Sequence, residues 1–305
     1  MSTETSNRTY ATSGRAPRNS RASIRVALWF AVLIIVCLEV NDRVRVGAFT
    51  ITAHRRLTME ALKRRGVMYN GARMEFSDGA AHAIDMEAAA MDRGAAIGIG
   101  YKPEQHFDNE KLKEGAEHLV EMKQKVIQIL TSEKMSDQDL RRAYRYFALG
   151  IHGVQDFYAH TNWVELKDDV CPTLGVGPFQ VALADPNGEE TCTDKFKLSG
   201  AGLTKLTSGY WTTSGCNVPF PKKCHHGKDK SSCEGIAKDS EGDPKVKVGD
   251  PANTSKHDPD GKFHDEAESL AIRATQAYAN LILSDPQVQK HCDNVNRFLR
   301  AKFRE

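Results

Sequence analysis

The chain has 305 residues, of which 40% are hydrophobic, and it carries 42 Lys and Arg against 40 Asp and Glu. This length and hydrophobic content are enough to bury a sizeable core in one large domain or two small ones. The near-balance of charge argues against a nucleic-acid-binding surface built on bulk charge, so no stable nucleic-acid partner is expected.

The N-terminal region is typical of an export signal. Residues 1–25 are polar and basic and contain no Asp, which predicts a disordered leader. Residues 26–48 contain an apolar run shorter than the ~20 residues that cross a bilayer, and this favours a signal peptide. Cleavage after Ala48 would leave Phe49 as the mature N-terminus. The protein is therefore expected to be secreted, with an uncleaved signal anchor that tethers it to a membrane as the alternative.

Cysteine usage supports export. One cysteine, Cys37, lies in the signal-peptide region over 26–48, and the other six are Cys171, Cys192, Cys216, Cys224, Cys233 and Cys292. In an oxidising compartment these six suggest three disulfides, whose pairing the sequence does not choose. A rival interpretation is a structural zinc site in a reduced compartment, built from Cys216, Cys224, His225 and Cys233.

Helical periodicity dominates the mature region. It predicts a first helix that is capped by Thr52 and stops at Gly66. A capping box at Ser136 and Asp139 predicts the start of a central helix. Four further helices are predicted over 79–94, 109–130, 263–285 and 287–303. Residues 167–262 are dense in Gly, Pro, Asp, Lys and Cys, which predicts stapled loops and short strands. The expected fold class is all-α: one multi-helix domain over 49–305 with a long irregular, disulfide-stabilised insertion.

The central helix carries a stripe of metal-capable side chains. His152, Asp156 and His160 recur at steps of four, which places them on one helix face. The flanking residues are apolar enough for a buried helix, and burying an unpaired polar group costs several kcal/mol. A divalent metal would satisfy all three side chains, whereas the alternative is that the histidines hydrogen-bond to neighbours.

A second ligand pair strengthens the metal interpretation. His264 and Glu268 stand four residues apart at the start of a late helix, so two helices each offer a ligand face, as in helical bundles that bind metals. His225, His226 and His257 lie in the insertion and are expected at the surface.

Five sequence strings carry a resemblance to a known family. The string LGIHGVQDFYAHTNWVEL, the earlier HFDNE, the later KCHHG with GIAKDS, and HDEAESLAIRAT resemble the Het-C family of fungal heterokaryon incompatibility proteins. That family, with the amino-terminal regions of some von Willebrand A-domain-containing proteins, is similar to the zinc-dependent phospholipase C and S1/P1 nuclease superfamily. The resemblance covers the chain from about Phe49 to about Tyr278 and implies an all-α fold with a zinc cluster in a cleft.

The resemblance implies three groups of zinc ligands. The first zinc would be bound by Asp92, His106, His152 and Asp156. Asp156 would bridge to a second zinc, bound by His54 and by the backbone amino group and carbonyl of Phe49. The third would be bound by His160, His264 and Glu268, and Asp108 is an alternative to Asp92.

The function implied by the resemblance is hydrolysis. Two or three Zn²⁺ ions would activate water for attack on a phospholipid phosphodiester, with Asp92 orienting that water. The expected protein is thus a secreted, phospholipase C-like phosphoric-ester hydrolase that acts on a phospholipid or another phosphodiester and contacts membranes peripherally. Alternatives are an S1/P1-type nuclease or nucleotidase, and a catalytically silent Het-C-type incompatibility or adhesion module.

Overall fold

Eight α-helices and one β-hairpin form the regular structure of the described part of the chain in this computed structural model. The structure describes residues 51–96, 101–193, 197–211, 218, 222–226, 235–238 and 262–301. The helices are α1 (Ile51–Met59), α2 (Asp78–Ala96), α3 (Pro103–His106), α4 (Leu112–Leu130), α5 (Asp137–His160), α6 (Trp163–Leu166), α7 (Lys262–Leu283) and α8 (Cys292–Arg300). The strands are β1 (Val67–Tyr69) and β2 (Ala72–Met74).

Some predictions lie outside the described residues. These are the leader over 1–25, the signal-peptide region over 26–48, the N-terminal ligand Phe49, and Cys37, Cys216, Cys233 and His257. Within the described ranges, no helix combines the length and the apolar character that a membrane span needs.

Helix α5 is the centre of the domain. Its predicted capping box is confirmed: Asp139 donates its backbone N–H to the Ser136 hydroxyl at 3.1 Å, and the Ser136 backbone N–H donates to the Asp139 carboxylate at 2.9 Å. Helices α2, α4 and α7 make the most extensive contacts with α5, and every residue from Gly150 to its end at His160 is buried. Polar side chains on this stretch therefore lie inside the protein.

The first helix and the hairpin correct two expectations. A π-helical turn over Glu60–Arg64 continues α1, and the helical run ends before Gly66, whose φ of +70° marks the predicted stop. Thr52 lies inside α1, so its predicted role as a cap is wrong. The hairpin was not predicted, although Asn70 and Gly71, with φ of 48° and 75°, are the usual signal for a two-residue turn between strands. The described residues are nevertheless mostly helical, which is compatible with the predicted all-α class.

The remaining helices follow the predicted pattern. Helices α4 and α7 lie where periodicity placed them, whereas α8 begins at Cys292, five residues after its predicted start, and follows a 3₁₀ turn over Val288–Lys290. Helix α2 runs two residues past the predicted end at Gly94. Their apolar faces join α5 in one hydrophobic core, which belongs to a single compact unit spanning Val46–Glu305.

The described parts of the insertion consist mainly of turns and isolated β-bridges. One disulfide joins Cys192 to Cys224, whereas Cys171 and Cys292 are free thiols. The expectation of three disulfides is therefore wrong. The rival zinc site is also wrong for Cys224, because a disulfide sulfur is not a thiolate ligand.

The insertion folds back over the C-terminal end of α5. The backbone N–H of Lys238 donates to the carbonyl of Ala159 at 2.8 Å, and that of Gly209 donates to the carbonyl of His160 at 3.1 Å. These bonds place insertion side chains beside the ligand stripe of α5.

Candidate metal centre

Three imidazoles and two carboxylates meet in the core, and we call this group the central cluster. Its members come from α1, α2, α3 and α5, and each is at most 4% exposed: His54, Asp92, His106, His152 and Asp156. Residues separated by about a hundred positions thus converge on one point, as the metal hypothesis requires.

Asp156 occupies the middle of the central cluster. One carboxylate oxygen, Oδ1, lies 3.1 Å from Nε2 of His54. The other, Oδ2, lies 2.8 Å from Nδ1 of His106 and 3.0 Å from Nε2 of His152. The two oxygens of a single carboxylate therefore face different imidazoles.

The carboxylate of Asp92, on α2, also faces two different imidazoles with its two oxygens. Its Oδ1 lies 3.4 Å from Nε2 of His152, and its Oδ2 lies 3.8 Å from Nε2 of His54. Ligands bound to one zinc at ~2.0–2.2 Å in a tetrahedron are separated by about 3.4 Å. The distances between donor atoms in the central cluster run from 2.8 to 3.8 Å and so lie on both sides of that value.

A buried glutamine orients His54. Nδ1 of His54 lies 2.6 Å from the side-chain oxygen of Gln155, whose amide nitrogen donates to the hydroxyls of Thr58 and Thr275 at 3.2 and 3.3 Å. Since the amide oxygen can only accept, His54 carries its proton on Nδ1 when the imidazole is neutral. The lone pair then lies on Nε2, which faces Asp92 and Asp156.

The electrostatics of the central cluster keep the Asp156 carboxylate ionised. Burial alone would raise the pKa of Asp156, but His152, His160 and the other imidazoles hold that pKa well below its ordinary value. Burial would lower the pKa of His54, yet Asp156 and Asp92 raise it to about 9. Without metal, protons on imidazoles balance the buried negative charge, and a divalent cation could take their place.

A second buried group lies beside the first, and we call it the insertion cluster: Asp108, His160 and His226. Oδ1 of Asp108 lies 3.1 Å from Nδ1 of His160 and 3.6 Å from Nε2 of His226. The structure thus brings the predicted ligand His160 together with two residues other than His264 and Glu268. Asp108, considered as an alternative to Asp92, lies in this cluster, whereas Asp92 lies with His106 and His152.

The pair on α7 forms a third group. Nε2 of His264 lies 3.3 Å from Oε1 of Glu268, and Asp265 completes a possible ligand triad. Both oxygens of Glu268 accept hydrogen bonds from the Arg56 guanidinium. Because this cation already balances Glu268, the group has less need of a metal than the central cluster.

His226 was missed by sequence reasoning. Both His225 and His226 are fully buried, so the prediction of a surface location is wrong for them. His226 follows the disulfide partner Cys224 by two residues, and this covalent link fixes its backbone near the helix end. Adjacency to a cysteine was the available signal, since the region has no periodicity.

Comparison with known proteins identifies the family. The model of the VWA7 N-terminal domain matches residues 65–291. Human von Willebrand factor A domain-containing protein 7 is 36% identical over 154 residues, which are 45% of this chain and 16% of that protein. The rat protein is 31% identical over 194 residues and the mouse protein 32% identical over 195, in both cases 60% of this chain and 20% of the relative.

The chain therefore spans about a fifth of the length of the curated relatives it matches, or less. No solved structure matches.

These matches correct the resemblance and the function drawn from it. The matching model is that of the VWA7 N-terminal domain and not Het-C or the phospholipase C and P1 nuclease group, so the Het-C assignment is wrong. The phospholipase C-like hydrolase, the nuclease and the Het-C module are withdrawn with it, because the relatives carry no such activity in their names. The chain belongs to the VWA7 N-terminal domain family.

Proposed function

We propose that this domain binds zinc through the central cluster. The observation that supports this proposal is that three imidazoles and two carboxylates, all buried, converge with their donor atoms at the distances expected between ligands of one metal ion. Nitrogen and oxygen donors of this kind suit zinc among the divalent metals of ordinary availability. The buried, ionised carboxylate of Asp156 also needs a cation to offset its desolvation.

The orientation of the two carboxylates supports a pair of ions. An imidazole nitrogen binds one metal, whereas a carboxylate can bridge two through its separate oxygens. Asp92 and Asp156 each present one oxygen to His54 and the other to His152. One ion would lie on the His54 side, and the other would lie between His152 and His106.

The bound metal would act on the stability of the fold. Its ligands come from four helices, α1, α2, α3 and α5, and a metal that binds only the folded arrangement adds its binding energy to folding. All five side chains of the central cluster are buried, each at most 4% exposed, and this burial supports a structural role for the centre.

We also propose that the domain folds in an oxidising compartment. The Cys192–Cys224 disulfide is the kind of bond that persists in secreted proteins and is rare in the cytosol. It supports the export expected from the leader.

The test is metal content combined with thermal unfolding. The full chain, purified without added metal, should contain about two zinc ions in the central cluster, and a strong chelator should lower its melting temperature. Asp156→Asn should lose this zinc because Asp156 contacts three imidazoles. Asp168→Asn, at an exposed position, is the matched control. Equal zinc content in wild type and Asp156→Asn would refute the proposal.

A further inference from the structure

We propose that Asp108, His160 and His226 form a separate binding site for one further transition-metal ion of the zinc class. The site goes beyond the central cluster because it shares no ligand with it. It also differs from the third zinc site that the family resemblance implied, which would use His160, His264 and Glu268.

The three side chains are buried and come from distant parts of the chain. Asp108 lies in the loop after α3, His160 is the last residue of α5, and His226 lies in the insertion. Their exposed fractions are 2%, 1% and 0%. Donor atoms from all three lie within 4.8 Å of one another, and the imidazole rings of His160 and His226 have centroids 4.3 Å apart.

The backbone settles which nitrogen of His160 can bind a metal. Nδ1 of His160 lies 2.7 Å from the carbonyl oxygen of His106. Because that oxygen can only accept, Nδ1 carries a proton and the lone pair of neutral His160 lies on Nε2. A backbone carbonyl that holds a histidine in this tautomer is a usual support for metal-ligating histidines.

Asp108 is held in place by a strained loop. Phe107, Asn109 and Glu110 have φ of 56°, 57° and 58°, and such left-handed conformations are unfavourable for non-glycine residues. Strain of this kind persists only where the surroundings enforce it, and it clusters at ligand sites.

The insertion and one aromatic side chain enforce the conformation of this loop. Asn109 donates its backbone N–H to the carbonyl of Gly209 at 2.9 Å, and Glu110 donates its backbone N–H to the Ser208 hydroxyl at 2.9 Å. Tyr101 donates its hydroxyl to Oδ2 of Asp108 at 2.7 Å. Oδ1 faces the two imidazoles, 3.1 Å from Nδ1 of His160 and 3.6 Å from Nε2 of His226.

A metal here would fasten the insertion to the end of the central helix. The segment that carries His226 is attached through the Cys192–Cys224 disulfide. Two backbone hydrogen bonds also hold it: His226 donates to the carbonyl of Tyr210 at 3.1 Å, and Tyr210 donates to the carbonyl of Cys224 at 2.8 Å. Trp211 packs edge-on against His226 with ring centroids 4.8 Å apart. The site is thus closed by an aromatic side chain and by the insertion backbone.

The experiment counts metal ions in the full chain. After removal of native metal and titration with Co²⁺ alone, wild type should bind about three ions. His226→Gln and Asp108→Asn should each bind one ion fewer. His225→Gln changes the same residue type at the next position with equal burial and should bind as many ions as wild type. Circular dichroism checks that each variant folds.

A second measurement needs no variant. With ¹¹³Cd²⁺ as the only metal, the wild-type protein should give one resonance beyond those that Asp156→Asn abolishes. If His226→Gln and Asp108→Asn bind as many ions as wild type, or if Asp156→Asn abolishes every resonance, the insertion site is refuted. A protein whose metal depends on Asp156 but not on His226 would leave the proposed function standing and overturn this inference alone.

Discussion

Gln155 holds His54 in the tautomer that a metal requires. The two residues lie on α5 and α1, 101 positions apart, and their side chains meet at 2.6 Å inside the core. This bond lies outside the ligand set itself, so it allows a test of metal affinity that leaves every ligand in place.

Replacing this glutamine should weaken zinc binding. Gln155→Met keeps the volume but removes the strong acceptor for Nδ1 of His54. Loss of such a supporting bond costs about 10–100-fold in metal affinity. Competition with a chromogenic chelator measures the change.

The control for this variant is Gln128→Met, at an exposed position on α4, which should bind zinc as wild type does. Equal affinity in both variants would show that Gln155 does not orient a ligand.

Metal affinity and metal-free stability should respond to pH in opposite ways. In the metal-free protein the pKa of His54 is raised to about 9 by Asp156 and Asp92 against the effect of burial, whereas an unfolded histidine has a pKa of about 6.5. The stabilisation from this protonated imidazole is therefore complete below pH ~6.5 and is lost as pH rises through about 9.

Zinc must displace the same proton, so its affinity should rise over that pH range. Chelator-treated protein should melt at lower temperature at pH 9 than at pH 7, while the apparent zinc affinity increases. Calorimetry in two buffers of different ionisation enthalpy should detect proton release at pH 7.5. Zinc binding without proton release would contradict the charge balance described for the central cluster.

Close helix packing at Gly150 should make this position intolerant of a methyl group. A Cβ at Gly150 would meet Cε1 of Tyr278 at 2.7 Å, and that tyrosine donates its hydroxyl to the carbonyl of Leu119 at 2.8 Å. Overpacking of this kind costs about 1–3 kcal/mol, so Gly150→Ala should lower the free energy of unfolding even though alanine favours helices. Urea denaturation measures it.

Gly177→Ala is the matched control, because no atom lies within 4 Å of the position that its Cβ would take. It should be neutral or slightly stabilising. Equal unfolding free energies for Gly150→Ala and wild type would mean that α5 and α7 do not approach as closely as described.

Removing the disulfide should destabilise the insertion. Cys192 and Cys224 are 32 positions apart, and closing a loop of that length contributes about 3–4 kcal/mol in the chain-entropy account. The double variant Cys192→Ala/Cys224→Ala should lose that free energy of unfolding and also the cobalt ion that depends on His226. Cys292→Ala removes an exposed free thiol and should change neither quantity. Retention of full stability by the double variant would contradict the role of the bond.

Sequence reasoning predicted those parts of the structure that depend on local pattern. The steps of four along α5 placed His152 and Asp156 on one buried face, and the capping box at Ser136 gave the start of that helix. The other residues of the central cluster, which the family resemblance proposed as ligands, also converge there, although the resemblance itself named the wrong family.

The features of the site that the sequence did not predict depend on long-range contacts. The Arg56 guanidinium, 212 residues away in sequence, donates to the Glu268 carboxylate. The spacing of His264 and Glu268 could not reveal that the Glu268 carboxylate was already paired. Asp108 reaches its cluster because its neighbours adopt left-handed backbone conformations enforced by the insertion. His226 depends on a disulfide whose pairing the sequence left open.

The most direct test is a crystal structure of the zinc-loaded full chain with anomalous data collected on both sides of the zinc absorption edge. The account predicts zinc peaks in the central cluster, ~2.0–2.2 Å from Nε2 of His54, Nε2 of His152 and the carboxylate oxygens of Asp156. Zinc peaks found only at exposed side chains, with His54 and Asp156 joined by hydrogen bonds alone, would contradict it.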